Sequence, residues 1–294
     1  MKFKKITKAI LPVAGFGTRF LPATKVQPKE MLAIFDTPAI QFIVEEAVAA
    51  GITDIFIITG RGKRAIEDHF DINFELEKLL QKKGKNSELV KIQRISSSAN
   101  FYYVRQSIPL GNGDAISKAS SLIPKGEPVA VLFGDDLVFS SKKKNGLRQL
   151  MDIYQSTGAP AILLCPVSPD KIHKYGIVNF SRKNKNVGLI TDIIEKPNSK
   201  QAPSNLSIVG KFIINSEILA KLQNLESKKK LGEELELTSA LQEYIQDGNQ
   251  IYGKILEGKR FDVGDKEDFL RANLFIAKKK LGKRKVKKII QNFI

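Results

Sequence analysis

The chain has 294 residues, 42% hydrophobic and 27% charged, with one cysteine and a formal net charge of +17. That composition suits a globular chain with a large core and excludes disordered, collagenous and disulfide-stapled classes. The excess positive charge is scattered through short lysine clusters at 82–83, 142–144 and 228–230 and a basic tail, without a nucleic-acid module, so it reads as a solvated face and no nucleic-acid partner is expected.

Lys2, Lys4, Lys5 and Lys8 precede only six apolar residues, interrupted by Pro12, against the roughly 7–15 of a secretory apolar region. No run approaches the ~20 residues of a membrane span, so cytoplasmic location without stable membrane insertion is expected. Residues 8–14 end as a strand, and the next strand is 54–59. Between them Pro38 opens a helix, where its missing N–H is harmless, with Ile40, Ile43, Val44, Ala47 and Val48 at helical spacing and Gly51 at its end. Residues 65–70 read as a helix. Residues 71–98 differ in kind, with Phe74, Leu76, Leu79 and Leu80 on a charged helix before a lysine-rich turn and 89–95, and they read as an insertion.

A strand at 100–104, a helix at 113–123 and a strand at 128–133 follow, the last closing on Gly134-Asp135-Asp136. Cys165, in the apolar run 161–167, reads as core, and no intrachain disulfide is possible. Extended runs at 175–180, 187–195 and 207–214 suggest an antiparallel or mixed elaboration. A helix at 239–246, a strand at 251–256 and a final helix capped by Asp265 complete the pattern. Alternating strands and helices specify an α/β fold with a mostly parallel sheet covered on both faces. Residues 278–294 form a basic tail with Val286, Ile289, Ile290 and Phe293 at helical spacing, expected to pack on the fold or a sister subunit and to be dispensable for chemistry.

The chemistry concentrates after the first strand. Gly15 and Gly17 permit a sharp bend with exposed backbone N–H groups, and Arg19, Lys25 and Lys29 add a planar fork and two compact charges, a combination suited to a polyphosphate. Phe20 stands where the dinucleotide fingerprint needs a third glycine, and the Walker spacing is absent. Because ligands of open α/β sheets bind beyond the carboxyl ends of the strands, Gly15, Gln106 and Asp135 should converge in one crevice.

The stretch 11–32, with Glu45-Glu46-Ala47, Ile66-Glu67-Asp68-His69-Phe70, Arg105-Gln106, Pro109-Leu110-Gly111, Gly134-Asp135-Asp136, Glu195-Lys196-Pro197 and Phe261-Asp262-Val263-Gly264, resembles the sugar-1-phosphate nucleotidylyltransferases, most closely their bacterial UTP-using branch. The resemblance implies a Rossmann-like mixed, mostly parallel sheet flanked by helices, with 1–277 as the nucleotidyltransferase domain and 175–214 as an antiparallel sugar-binding elaboration. It implies UTP and glucose 1-phosphate as substrates, UDP-glucose and pyrophosphate as products, and a homodimer or homotetramer. UTP-using members carry an excursion like 71–98, which the dTTP-using ones usually lack.

By the same resemblance, Arg19 and Lys29 would hold the nucleotide phosphates and Lys196 the sugar phosphate. Ala14, Gly15, Gly17, Thr18, Glu30, Gln106, Gly111, Asp136, Gly176, Glu195 and Gly210 would contact substrate. Asp135 and Asp262 would be ligands of Mg²⁺, a cation that favours one or two carboxylates plus phosphate oxygens, with Asp136 the alternative. Gln106 offers an amide to the uracil edge, with Gly111 letting the base approach the backbone. Where the family commonly has a glycine followed by histidine, this chain has Gly113-Asp114.

Overall fold

The computed structural model describes residues 3–140, 144–230 and 232–291. Strand β1 (Lys8–Pro12) leads through three 3-10 turns, at Thr18–Phe20, Ala23–Lys25 and Lys29–Met31, to the ribbon β2 (Ala33–Ile34) and β3 (Thr37–Pro38). Helix α1 (Ala39–Ala50), strand β4 (Asp54–Thr59), helices α2 (Arg64–Phe70), α3 (Phe74–Lys82) and α4 (Asn86–Ser96), strand β5 (Asn100–Arg105) and helix α5 (Asn112–Lys118) follow. Next come β6 (Val129–Leu132), β7 (Asp136–Ser140), α6 (Gly146–Thr157), β8 (Ala161–Pro166), β9 (Gly176–Arg182), β10 (Val187–Glu195) and β11 (Leu206–Ile214). The chain continues with α7 (Ser216–Lys228), α8 (Leu237–Gln246), β12 (Ile251–Ile255), β13 (Gly258–Asp262), α9 (Lys266–Leu281) and α10 (Lys283–Gln291).

Nine strands form one sheet in the order β5-β4-β1-β6-β11-β8-β12-β10-β9, while β13 pairs separately with β7. β5, β4, β1 and β6 are mutually parallel, and β11 and β10 run against their neighbours. The sheet separates two cores because side chains alternate along each strand. Ala9 and Leu11 of β1 join one core with Ile43 of α1, Leu147 of α6 and Ala272 of α9. Ile10 joins the other with Ile116 of α5, Ile218 of α7 and Ala240 of α8. A mixed, mostly parallel sheet covered on both faces is the architecture expected from the alternating pattern.

Several elements differ from the sequence reading. β11, expected in the antiparallel elaboration, lies in mid-sheet between β6 and β8, with all nine residues buried. Its near-continuous apolar run is the signature of a strand covered on both faces. The helix expected over 113–123 divides into α5 and a 3-10 turn at Ser120–Leu122. Cys165 is only partly buried, at the margin of the core. Helix α9 runs through the expected boundary at 277/278, so the tail begins as its last turn before α10, where Val286 is buried. Phe293 falls outside the described residues. No helix among the described residues is long and apolar enough to cross a membrane.

Candidate active site

The carboxyl ends of β1, β4, β5 and β6 deliver Ala14, Thr59, Gln106 and Asp135 to one edge of the sheet. At Gly15 an added Cβ would meet nothing within 4 Å, leaving that backbone open to a ligand. Gly17 is required for a different reason. Its φ is 67°, and a Cβ there would come within 2.9 Å of the Lys29 Cβ, so the glycine lets the Lys29 stem pass beneath the loop. Thr24 Oγ1 donates to the Gly17 carbonyl at 2.8 Å, and Phe20 packs edge-on against Phe269 of α9 at 5.3 Å. Thr18 and Arg19 remain exposed between these anchors.

Lys29 Nζ donates to Asp135 Oδ2 in a very short contact. Burial opposes the Lys29 charge, but the carboxylates of Asp135 and Glu30 raise its pKa, so the ammonium persists throughout the neutral range. Burial likewise opposes ionisation of Asp135, and the Lys29 ammonium overcomes it and holds that carboxyl below its usual value. Glu30, 1% exposed, turns away from the crevice to accept from Lys63 Nζ at 2.8 Å. This buried pair anchors the turn that carries Lys29.

Asp262 arrives on β13. A Cβ on Gly264 would lie 2.9 Å from Asp135 Oδ2, 3.0 Å from Asp262 Oδ1 and 3.7 Å from Arg19 Cζ, so the two carboxylates and the guanidinium converge on that glycine. Asp262 accepts from Tyr175 Oη and from the Gly264 N–H, both at 3.0 Å. Its carboxyl is pushed up to about 6, first by burial and then by Asp135 and Asp136 nearby. A buried acid crowded by two like charges is suited to a cation.

Asp136 points elsewhere than Asp135. Its carboxylate is gripped by Arg260 at 2.8 Å and accepts from the Gly210 N–H at 2.9 Å. Both of its oxygens are therefore engaged, and it serves as the floor of the crevice. The fully buried Lys211 donates to the Asp136 carbonyl at 2.7 Å and pairs with Glu46 at 3.5 Å. Glu46 Oε1 in turn accepts from the Leu147 N–H at 2.9 Å. Arg260→Ala, which leaves the Asp136 charge buried and unpaired, is expected to destabilise the fold by about 3–5 kcal/mol, read as a shift in denaturant midpoint.

Beside the carboxylates lies a cavity of about 200 Å³, lined by Gly176, Glu195, Lys196, Gly210, Glu236 and Thr238 among others. Thr238 Oγ1 donates to Glu195 Oε2 at 3.0 Å, and Lys196 Nζ stands 3.6 Å from Glu195 and 3.8 Å from Glu236. Lys196 adopts φ 45°, held by its N–H donating to the Tyr175 carbonyl at 3.1 Å. A Cβ on Gly176 would stand 3.0 Å from Glu195 Oε2, and one on Gly210 would strike Phe133. A larger cavity of about 590 Å³ beside α6 and β12 contains none of the expected site residues.

On the other side, Gln106 Nε2 donates to the Gly111 carbonyl at 3.1 Å and to Asp114 Oδ2 at 2.6 Å. Gly111, at φ 96°, would place a Cβ 2.3 Å from the Leu235 carbonyl oxygen. Close backbone packing on Leu235 already demands glycine there.

A model of the nucleotidyl transferase family matches residues 8–279. The chain is 47% identical over 270 residues to a UTP–glucose-1-phosphate uridylyltransferase of Bacillus subtilis, spanning 92% of this chain and 89% of the relative. It is 46% identical to one of Staphylococcus epidermidis over 94% of both chains. The chain belongs to the nucleotidyl transferase family. Its fold is similar to that of the UTP-bound UGPase of Acinetobacter baumannii, with a TM-score of 0.88 at 37% identity over 98% of this chain and 99% of the other.

Within this nucleotidyl transferase, Arg19, Asp135, Asp262, Glu195 and Lys196 line one crevice, with Lys29 bound to Asp135, while the Gln106 side chain sits against Gly111 and Asp114. Sequence reasoning missed Lys63, Lys211, Arg260 and Glu236, which hold these groups in place. Burial pushes the Glu236 carboxyl up, and Lys196 pulls against that shift. A lysine inside the apolar run of β11 was a visible signal, since a buried lysine needs a partner.

Proposed function

We infer that this chain is a UTP–glucose-1-phosphate uridylyltransferase, forming UDP-glucose and pyrophosphate from UTP and glucose 1-phosphate. The observation that carries this reading is the convergence of Arg19, Asp135 and Asp262 on Gly264, with Lys29 bound to Asp135, in a chain nearly half identical to uridylyltransferases. A phosphate oxygen of the sugar phosphate attacks the α-phosphorus, and the bond to the departing pyrophosphate breaks. The nucleophile is already ionised near neutral pH, so the protein's task is to bring two anions together and to neutralise developing charge.

Arg19 clamps the β- and γ-phosphates with its fork, and Lys29, kept cationic, sits at the α-phosphate. Lys196 holds the sugar phosphate, while Glu195, fixed by Thr238, accepts from sugar hydroxyls. Gln106 meets the uracil edge. Enzymes of this family generally use a divalent metal. Two hard carboxylates converging on Gly264, one with its charge disfavoured by its neighbours, fit such an ion, and Asp135 and Asp262 would hold Mg²⁺. When bound, it would neutralise phosphate charge.

Pyrophosphate release should be measured over a matrix of nucleoside triphosphates and sugar 1-phosphates. UTP with glucose 1-phosphate is expected to give the highest specificity constant. A higher value with dTTP would make the chain a thymidylyltransferase.

A further inference from the structure

We propose that Asp114 is a positioning residue that fixes which end of the Gln106 amide faces the base, and so makes the site select a pyrimidine that carries a hydrogen on N3. The inference rests on the reading of Gln106 as the uracil contact. Gln106 is almost fully buried, and its backbone N–H is already spent on the Thr59 carbonyl at 2.8 Å. Its side-chain nitrogen faces two groups, the Gly111 carbonyl at 3.1 Å and Asp114 Oδ2 at 2.6 Å. A carbonyl and a carboxylate only accept hydrogen bonds, so the NH₂ end is forced toward them and the amide has no second orientation.

Asp114 is itself immobilised. It lies in the first turn of α5, is 3% exposed, and its other oxygen stands 3.3 Å from Lys118 Nζ, which is also paired with Glu226. The Gly113 N–H donates to the Leu235 carbonyl at 2.8 Å, locking the start of the helix to the neighbouring segment. Among the described residues none donates to Gln106 Oε1. What remains for the ligand is therefore a fixed acceptor. Uracil and thymine present an N3–H donor to it, whereas cytosine presents a lone pair at the same place. The device rejects cytosine and leaves thymine to be judged by other contacts.

The test compares UTP with CTP on the same preparation, so that a partly unfolded sample does not move the ratio. In Asp114→Asn the new amide can donate to Gln106 as well as accept from it, so the Gly111 carbonyl is left as the one acceptor that favours the original orientation and the turned-over amide becomes populated. The ratio of the UTP to the CTP specificity constant is expected to fall about tenfold or more, the size of one misdirected hydrogen bond. The loss should appear as a raised KM for UTP with kcat within about threefold, since the contact is made equally in ground and transition states. Asp114→Leu, similar in size and unable to hydrogen-bond, should shift the ratio in the same direction and serves if the Asn variant is insoluble. Gln106→Leu separates the positioning role of Asp114 from base contact by Gln106. If it collapses the ratio while both Asp114 variants keep it within about twofold, Asp114 has no positioning role and the proposal is overturned. If Gln106→Leu also leaves the ratio unchanged, Gln106 does not read the base and the proposal falls with that reading.

Discussion

Asp262→Asn is expected to abolish turnover and at the same time raise the thermal stability of the metal-free protein. The carboxyl of Asp262 is buried, its pKa is pushed from 3.8 to about 6, and burial, Asp135 and Asp136 all act against its charge, in that order. Because the folded value lies above the ordinary one, the folded state holds this proton more tightly than the unfolded chain. Stability is therefore fully present at acid pH and is lost as pH rises through the interval from about 4 to about 6. Asparagine removes the charge while keeping an oxygen that can still accept from Tyr175 or the Gly264 N–H. A gain on the order of 1–3 kcal/mol at pH 7 follows from the size of the shift, seen as a higher Tm in metal-free buffer. The corresponding change should disappear below about pH 4, where both states carry the proton. Turnover should fall by at least about 10³ under the proposal that Asp262 is one of two anionic metal ligands, since charge stabilisation by a bound cation is worth several kcal/mol. A variant with lowered Tm and full activity would show that Asp262 is a structural acid.

Arg19→Ala carries the second large effect. The guanidinium lies 3.7 Å from the point where a Gly264 Cβ would stand, between the two carboxylates and solvent, in an otherwise anchored loop. Charge moves onto the leaving pyrophosphate as the bond to the α-phosphorus breaks, so the clamp is worth more in the transition state than before it. Loss of one preorganised donor of this kind costs about 3–4 kcal/mol, or roughly 10²–10³ in turnover. Arg19→Lys keeps the charge without the fork and should recover part of the loss. Turnover and UTP binding should be measured separately. If Arg19→Ala stays within about threefold of the parent, under about 1 kcal/mol, Arg19 only holds the turn.

The legibility of this chain follows the range of its interactions. Strand β4 matches its sequence boundaries because the apolar run between Asp54 and Thr59 is closed by a glycine turn, all within local sequence. The grouping of the candidate residues was legible because many of them sit in short motifs at the ends of strands, where the open-sheet rule places ligands. The position of β11 was not legible, since the order of strands in a sheet depends on crossovers that its own residues do not encode. The supporting charges were hidden for the same reason. Arg260 reaches Asp136 across 124 positions, Lys211 reaches it across 75, and Lys63 reaches Glu30 across 33. Asp114 was visible as a departure from the family pattern, but only the fold shows that its carboxylate meets Gln106.

The claim on which everything else depends is that an oxygen of the sugar phosphate attacks the α-phosphorus of UTP. Glucose 1-phosphate labelled with ¹⁸O in its phosphoryl oxygens tests it directly, with the products analysed by mass after turnover with unlabelled UTP. Every labelled oxygen should be found in UDP-glucose, including the one that now bridges the two phosphorus atoms, and the pyrophosphate should be unlabelled. Label in the pyrophosphate, or release of inorganic phosphate in its place, would contradict the account.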